Sequence, residues 1–200
     1  MTVILGVVDK RSKTVHIMGD SMVSRGESIA YEINKIWTSN DFVIGSAGSL
    51  TMIQSLKRQL HFPSQKDIED NNLTIDIDFM VNQLCPAIKQ LVKNNNLSEN
   101  DLADILVGYK EDLYYITSYF NVIKIREYQS IGSGCTRAEA AFQNSNIQDI
   151  EKALFHSILY ATKNIRSCSM PAYCINTKDK QFKKYDSNGH WTLSKVDEQC

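Results

Sequence analysis

Apolar and polar positions follow two patterns along this chain, one typical of strands and the other typical of helices. Residues 3–8 form a continuous apolar run rich in β-branched side chains, as expected of a strand buried on both faces. The polar residues 9–13 separate it from Thr14–Asp20, a second run of the same kind. The two runs predict a hairpin that returns Asp20 to the end of the sheet at which the chain begins.

Later runs rich in β-branched and aromatic residues, bounded by polar turns, predict further strands. They lie at residues 33–37, 41–47, 104–109, 113–119, 122–125, 128–131, 172–177 and 182–186. Apolar residues spaced three and four apart predict helices between them. These helices are expected at residues 49–61, 77–93, 136–143 and 147–164. Ser49 is expected to cap the first helix, and Pro86 predicts a kink or a break in the second.

The order of the elements predicts the fold. Strands, two helices, strands, two helices and strands describe an α+β protein, a four-layer αββα sandwich of two antiparallel sheets flanked by helices. No repeat, linker or change in composition divides the chain, so residues 1–200 are expected to form one domain. The polar tail, residues 187–200, is expected to be loosely held.

Composition and charge exclude several classes of function. With 42% hydrophobic residues and a formal net charge of −1, the chain has enough apolar content for a sizeable core and no basic surface for nucleic acid. No segment approaches the roughly 18 apolar residues of a membrane-spanning helix, and the N-terminus lacks the features of a signal peptide. We therefore expect a soluble cytoplasmic protein with no nucleic-acid or membrane partner.

The five cysteines are odd in number and lack the close spacing of a zinc or redox motif. We interpret them as reduced thiols that pack in the core or on the surface. No metal site and no cofactor are expected.

Thr2 is the candidate for chemistry, because removal of Met1 would give it both a hydroxyl and a free α-amine. An unperturbed α-amine titrates at about pH 7.7–8.0, so near neutrality part of the population can accept the hydroxyl proton. The predicted strand that begins at residue 3 would hold this nucleophile on a rigid element.

Five features in order along the chain carry a resemblance to a known family. They are the opening strand from Thr2, the turn Gly19-Asp20-Ser21, Lys35, the segment 44–48 (Ile-Gly-Ser-Ala-Gly) and the segment 131–134 (Ile-Gly-Ser-Gly). Together they resemble the proteasome β-subunit family of N-terminal nucleophile hydrolases, most closely the bacterial and phage members similar to HslV. The resemblance extends from Thr2 to about residue 186.

The resemblance implies a set of roles. Thr2 would be the nucleophile and its amine the general base, Lys35 the cation that keeps both reactive, and Asp20 the group that holds Lys35. Gly45 would supply the backbone N–H of an oxyanion hole, and Ser133 would hydrogen-bond near the amine.

One position departs from the family pattern. After the last long helix the family has an aspartate and a serine, and here Ser169 matches the serine while Arg166 stands at the aspartate position. An added cation would either depress the proton affinity of the amine further or disrupt the network. Alternatively, Asn164 fills the polar role.

The resemblance also implies substrate and partners. The family's pocket would be apolar and maps onto Val23, Ile33, Trp37, Val43, Ala47 and Thr51. Peptides or unfolded proteins would be cleaved inside a homo-oligomeric ring, with an ATP-dependent unfoldase as a possible partner. Three hypotheses stay open: an active threonine peptidase, a catalytically silent ring protein with a structural or regulatory role, and a small-molecule amidohydrolase.

Overall fold

A computed structural model describes residues 2–25, 28–166 and 168–194, whose strands form two large antiparallel sheets and a separate hairpin. The strands are β1 (Ile4–Asp9), β2 (Thr14–Asp20), β3 (Met22–Arg25), β4 (Ser28–Glu32), β5 (Ile36–Ser39), β6 (Phe42–Gly48), β7 (Ala103–Tyr109), β8 (Asp112–Ile116), β9 (Val122–Ile125), β10 (Tyr128–Ile131), β11 (Ala172–Asn176), β12 (Phe182–Tyr185) and β13 (Trp191–Ser194). The first sheet has the order β10-β1-β2-β11-β12-β13, and the second has the order β5-β6-β7-β8-β9. Strands β3 and β4 pair only with each other among the described strands.

Helices cover the outer face of each sheet. They are α1 (Leu50–Gln59), α2 (Gln65–Asp70), α3 (Ile77–Phe79), α4 (Cys85–Asn94), α5 (Cys135–Gln143) and α6 (Ile150–Asn164), with a π-helical turn at Met80–Leu84 and a 3₁₀ turn at Glu99–Asp101. No helix in the described part of the chain is both long enough and apolar enough to span a bilayer.

Three apolar layers separate the four structural layers. Helices α1 to α4 pack on the second sheet around Phe42, Ile44 and Leu56, and helices α5 and α6 pack on the first sheet around Leu5 and Ile158. The third layer lies between the sheets and contains Ile4, Val15, Ile17, Ile36, Val43, Leu106, Leu113 and Ile175. This arrangement confirms the predicted four-layer sandwich of two antiparallel sheets flanked by helices.

Several local features differ from the sequence prediction. The interruption expected at Pro86 takes the form of the π-helical turn at Met80–Leu84. Helix α4 begins directly after it, at Cys85, so Pro86 lies in the first turn of α4, where its missing N–H costs little. Residues 33–35 precede strand β5 instead of forming its start. The tail is ordered as far as Ser194, because Trp191–Ser194 pairs with β12; residues 195–200 of the predicted tail lie outside the described residues.

The predicted cap of α1 is present. The Ser49 hydroxyl oxygen accepts the Met52 N–H at 3.1 Å and donates to the Asp101 carbonyl at 2.8 Å. We expect Ser49→Ala to lower the free energy of unfolding by about 1 kcal/mol, measured by urea denaturation. Ser49→Asn keeps an acceptor and a donor and should recover most of this loss. Equal losses in both variants would show that the cap contributes nothing.

Candidate active site

Thr2 lies directly before β1 and is held by the turn formed by residues 132–134. Its N–H donates to Ser133 Oγ at 3.3 Å, and its carbonyl accepts the Gly134 N–H at 3.2 Å and the Ser133 hydroxyl at 3.4 Å. Only 4% of Thr2 is exposed. The turn follows β10, which pairs with β1 through Ile4 and Ile131 and therefore carries Ser133 to the start of the chain.

Gly132 allows this close approach. It has a φ of 88°, and a Cβ at this position would lie 2.3 Å from the Thr2 carbonyl oxygen and 3.2 Å from Cβ of Ala47. A side chain would therefore be strained by the backbone conformation and would also push against the Thr2 backbone. Gly132 belongs to the segment 131–134 that carries part of the family resemblance, but the sequence did not indicate this contact.

Substitution of Gly132 tests how tightly the turn positions Thr2. Gly189 is a matched control, since its φ is 85° and the three atoms nearest to a Cβ there all belong to the ring of Phe155, the first at 3.1 Å. We expect Gly189→Ala to cost about 1–2 kcal/mol of unfolding free energy for its left-handed backbone alone. Gly132→Ala should cost more and should also abolish any reaction at Thr2. Equal effects in the two variants would argue against a positioning contact.

The second part of the site is a buried ion pair between Lys35 and Asp20. Lys35 Nζ lies 2.9 Å from Asp20 Oδ1, and the two side chains are 2% and 0% exposed. The same carboxylate accepts the Val3 N–H at 2.9 Å and the Met22 N–H at 3.4 Å. Asp20 thus ties the lysine to the backbone that immediately follows Thr2, as the hairpin of β1 and β2 predicted.

Burial dominates the electrostatics of this pair. It raises the pKa of the Asp20 carboxyl, against the opposing effects of Lys35 and of the N–H groups of Val3 and Ser169. It also lowers the pKa of the Lys35 ammonium, and Asp20 offsets part of that change. The contact with Asp20 thus favours the charged form of Lys35 against the effect of its burial.

The segment after α6 contributes differently from the expectation. The Ser169 backbone N–H lies close enough to Asp20 to lower the pKa of its carboxyl, whereas the Ser169 hydroxyl donates to the Met170 carbonyl at 3.1 Å. Arg166 is exposed, and Asn164 is exposed with its amide bonded to the Tyr160 carbonyl at 2.7 Å. Neither Arg166 nor Asn164 therefore enters the buried network around Thr2.

The residue that does enter this network is Cys168, which the sequence interpretation assigned only to general packing. It is 3% exposed and close enough to Lys35 to influence the lysine's pKa. Its Sγ also lies 3.3 Å from the position of a Cβ on Gly134, beside the turn that holds Thr2. No spacing rule distinguishes Cys168 from Arg166, since both lie within the short connection that follows α6.

The structure corrects the assignment of Gly45. A Cβ on Gly45 would meet Ile4, Ile17 and Ile36, which places this glycine in the core between the sheets. The N–H of its neighbour Ser46 donates to the Lys35 carbonyl at 3.1 Å, so the Gly45 N–H points the opposite way, toward Leu106 of β7. An N–H engaged in the interior of a sheet cannot serve an oxyanion.

Gly48, to which the sequence interpretation gave no role, has a backbone orientation opposite to that of Gly45 on the same strand. It is exposed at the end of β6 and lies two residues after Ser46, so its N–H points to the same side as that of Ser46. Strand β5 does not extend that far, because Ile36 pairs with Gly45 and the preceding residues leave the sheet. Ala47, which neighbours Gly48, lies next to Gly132, the glycine that approaches the Thr2 carbonyl.

The proposed pocket residues separate into two groups. Trp37 lies 3% exposed in the core between the second sheet and its helices, and Val43 lies fully buried between the sheets, so both are core residues and not pocket residues. Ala47 lies beside the Thr2 turn, while Val23 and Ile33 are half-buried and Thr51 is exposed in the first turn of α1. The residues that remain available for a pocket are Val23, Ile33, Ala47 and Thr51.

Comparison with known proteins places the fold. No protein-family model matches the chain, and no curated protein is significantly similar to it. Among solved structures, eukaryotic HslV from Trypanosoma brucei is 27% identical, with 88% of this chain and 98% of that chain covered and a TM-score of 0.64. Thiobacillus denitrificans BPH in complex with epoxomicin is 16% identical (86% and 97% covered, TM-score 0.66). Anbu, an ancestral β-subunit from Yersinia bercovieri, is 14% identical (94% and 89% covered, TM-score 0.70).

Proposed function

Because this chain is similar to the HslV-like N-terminal nucleophile hydrolases and has their fold, we propose that it is a threonine-type peptidase. The nucleophile is Thr2, after removal of Met1, which lies outside the described residues. The observation that carries the proposal is the buried Lys35–Asp20 pair against the backbone of Val3, with Ser133 on the N–H of Thr2. Burial of an ammonium group costs free energy even when it is paired, so a buried ion pair beside Thr2 and Val3 favours a functional role.

The reaction needs one nucleophile and one base, and processed Thr2 supplies both. The hydroxyl oxygen attacks the peptide carbonyl while the α-amine accepts the hydroxyl proton and passes it to the leaving amine. Water then attacks the resulting ester, and the amine takes a proton from this water and returns it to the Thr2 oxygen. The positive charge of Lys35 disfavours protonation of the α-amine, so more of it is a free base near neutrality.

The developing oxyanion requires a backbone donor, and we assign this role to Gly48 in place of Gly45. Gly48 is exposed and its N–H points away from β7, on the side where Lys35 leaves the sheet. A side chain cannot be accommodated here, because a Cβ on Gly48 would lie 2.5 Å from Cβ of Ala103 and 2.6 Å from the Leu102 carbonyl oxygen. An oxyanion would need to lie within about 3 Å of the Gly48 N–H.

Assembly and substrate follow from the same resemblance. We propose a homo-oligomeric ring that encloses the nucleophiles and cleaves peptides or unfolded proteins, with an ATP-dependent unfoldase as its partner. The apolar side of the substrate would lie against Val23, Ala47 and Thr51. The exposed position of Arg166 removes one reason to expect a silent protein, because its cation does not enter the buried network.

Epoxomicin tests the proposal directly, since an epoxyketone needs both a hydroxyl and a free α-amine on one residue to form its ring adduct. Intact mass should show loss of Met1 and then a single adduct on Thr2, with no adduct on Thr2→Ala. Fully processed protein that forms no adduct would contradict the peptidase and favour the silent ring protein. Light scattering that gives a monomer or a dimer would favour the small-molecule amidohydrolase.

A further inference from the structure

Three potential metal ligands converge on the outer face of the first sheet, in a part of the molecule that the proposed peptidase chemistry does not use. The side chains of His16, Glu151 and Cys174 each place one ligand atom within 4.8 Å of the others. We refer to them as the His16 cluster. Their sequence separation explains why the spacing of cysteines and histidines predicted no metal site.

The fold itself brings the three residues together. His16 lies on β2 opposite Asn176 of β11, and Cys174 lies two residues before Asn176, so both side chains point to the same face. Glu151 comes from the first turn of α6, which covers this face. Two adjacent strands and one helix thus fix the cluster from three directions.

One atom of the cluster lacks a hydrogen-bond partner among the residues that the structure describes. Within this part of the chain, His16 Nδ1 is buried without a partner, since Glu151 Oε1 lies 3.8 Å away, beyond hydrogen-bond distance. The other ring nitrogen, Nε2, lies 3.1 Å from Thr14 Oγ1, which orients the imidazole. A metal-bound histidine is held in the same way, with one nitrogen on the metal and the other on a neighbouring polar group.

From this geometry we propose that His16, Glu151 and Cys174 bind a divalent transition-metal ion of the zinc class. Nitrogen, sulfur and carboxylate oxygen are the ligands that zinc takes in tetrahedral sites, and three of them leave a fourth position for water. His16 and Glu151 also line an open cleft with Asp9, Asn176 and Lys183, so an ion can enter from solvent.

The ammonium group of Lys183 would compete with a metal ion for the carboxylate of Glu151. Lys183 lies directly opposite Cys174 on β12, and its Nζ is 2.8 Å from both oxygens of Glu151. A bound ion would replace this ammonium, and the charges balance because a dication meets one carboxylate and one thiolate after the thiol loses its proton to solvent. His16 Nδ1 and Glu151 Oε1 are already 3.8 Å apart, and any ligand atoms that are separated by up to 4.8 Å need to move to the roughly 3.3–3.8 Å of a tetrahedral zinc site.

Cobalt(II) chloride provides the probe, because a tetrahedral Co²⁺–thiolate site has visible and near-ultraviolet absorption bands. Wild-type protein should bind one Co²⁺ per chain with both sets of bands, and Zn²⁺ should displace it. Cys174→Ser should lose the thiolate charge-transfer band, and His16→Ala should weaken binding at least about tenfold. Lys183→Met should bind more tightly than wild type, because its competing ammonium is gone.

Matched controls come from residues of the same type outside the cluster. His156→Ala and Cys135→Ser remove an exposed histidine and a partly exposed cysteine and should leave Co²⁺ binding unchanged. A wild-type titration without a thiolate band would overturn the proposal, whatever the folding of the variants. Bands that survive both His16→Ala and Cys174→Ser would overturn it as well, and weaker binding by Lys183→Met would refute the competition.

Discussion

Replacement of Thr2 by alanine is expected to lower the rate of peptide hydrolysis by at least about 10⁴-fold, because the proposed nucleophile, the Thr2 hydroxyl, is then missing. Thr2 carries both the amine and the hydroxyl, and its hydrogen bond to Ser133 helps to hold the two groups in place. Turnover of a fluorogenic peptide by processed protein measures the effect. Thr2→Ser, which keeps a hydroxyl and the amine, should retain a measurable part of the rate.

A second variant separates the amine from the hydroxyl. Processed protein extended by one alanine before Thr2 keeps the hydroxyl but converts the amine to an amide. Because nucleophile and base act as a unit, its rate should fall as far as that of Thr2→Ala. Thr192→Ala, an exposed threonine on β13, is the control and should keep full activity. Appreciable hydrolysis by the extended protein would mean that the α-amine is not the base.

The Lys35–Asp20 pair should give the second large effect, this time on stability as well as on rate. Lys35→Met leaves a carboxylate that is 0% exposed without its ammonium, and loss of one partner of a buried pair costs about 3–5 kcal/mol. Asp20 keeps the N–H groups of Val3 and Met22, so we expect a folded but weakened protein. Urea denaturation measures the change.

The double variant Asp20→Asn/Lys35→Met distinguishes structure from chemistry. An amide oxygen can still accept the Val3 N–H, and no charge remains buried, so the double variant should recover most of the lost stability. Its hydrolysis should stay as low as that of Lys35→Met, since the cation beside the amine is still missing. Recovery of activity together with stability would show that the pair is purely structural.

The sequence predicted the elements well where periodicity was strong. Strands β1, β2, β6 and β7 and the cap at Ser49 follow from local pattern, and the β1–β2 hairpin was sufficient to bring Asp20 back to Thr2. The local pattern does not predict the hairpin of β3 and β4. It also predicts a polar tail where β13 forms, because the apolar signal of Trp191 and Leu193 is short.

Site assignments failed where they depended on the direction of one backbone group or side chain. Gly45 and Gly48 lie in one short motif, and only the register of β6 against β5 and β7 shows which of them is engaged inside the sheet. Trp37 looked suited to a pocket but packs toward the helices. The His16 cluster joins residues from three distant segments, so no local pattern could have indicated it.

The position of β1 in the interior of the first sheet has a consequence for synthesis. Ile4 pairs with Ile131, and Asp20 pairs with Ala172, so the neighbours of the first hairpin are made more than a hundred residues after it. Such non-local pairing forms late, because the chain must close long loops first. A ribosome-bound chain therefore carries Thr2 for most of its synthesis without the turn and the strand that hold it. Newly made protein should gain its hydrolytic capacity only after the residues around Ala172 have emerged.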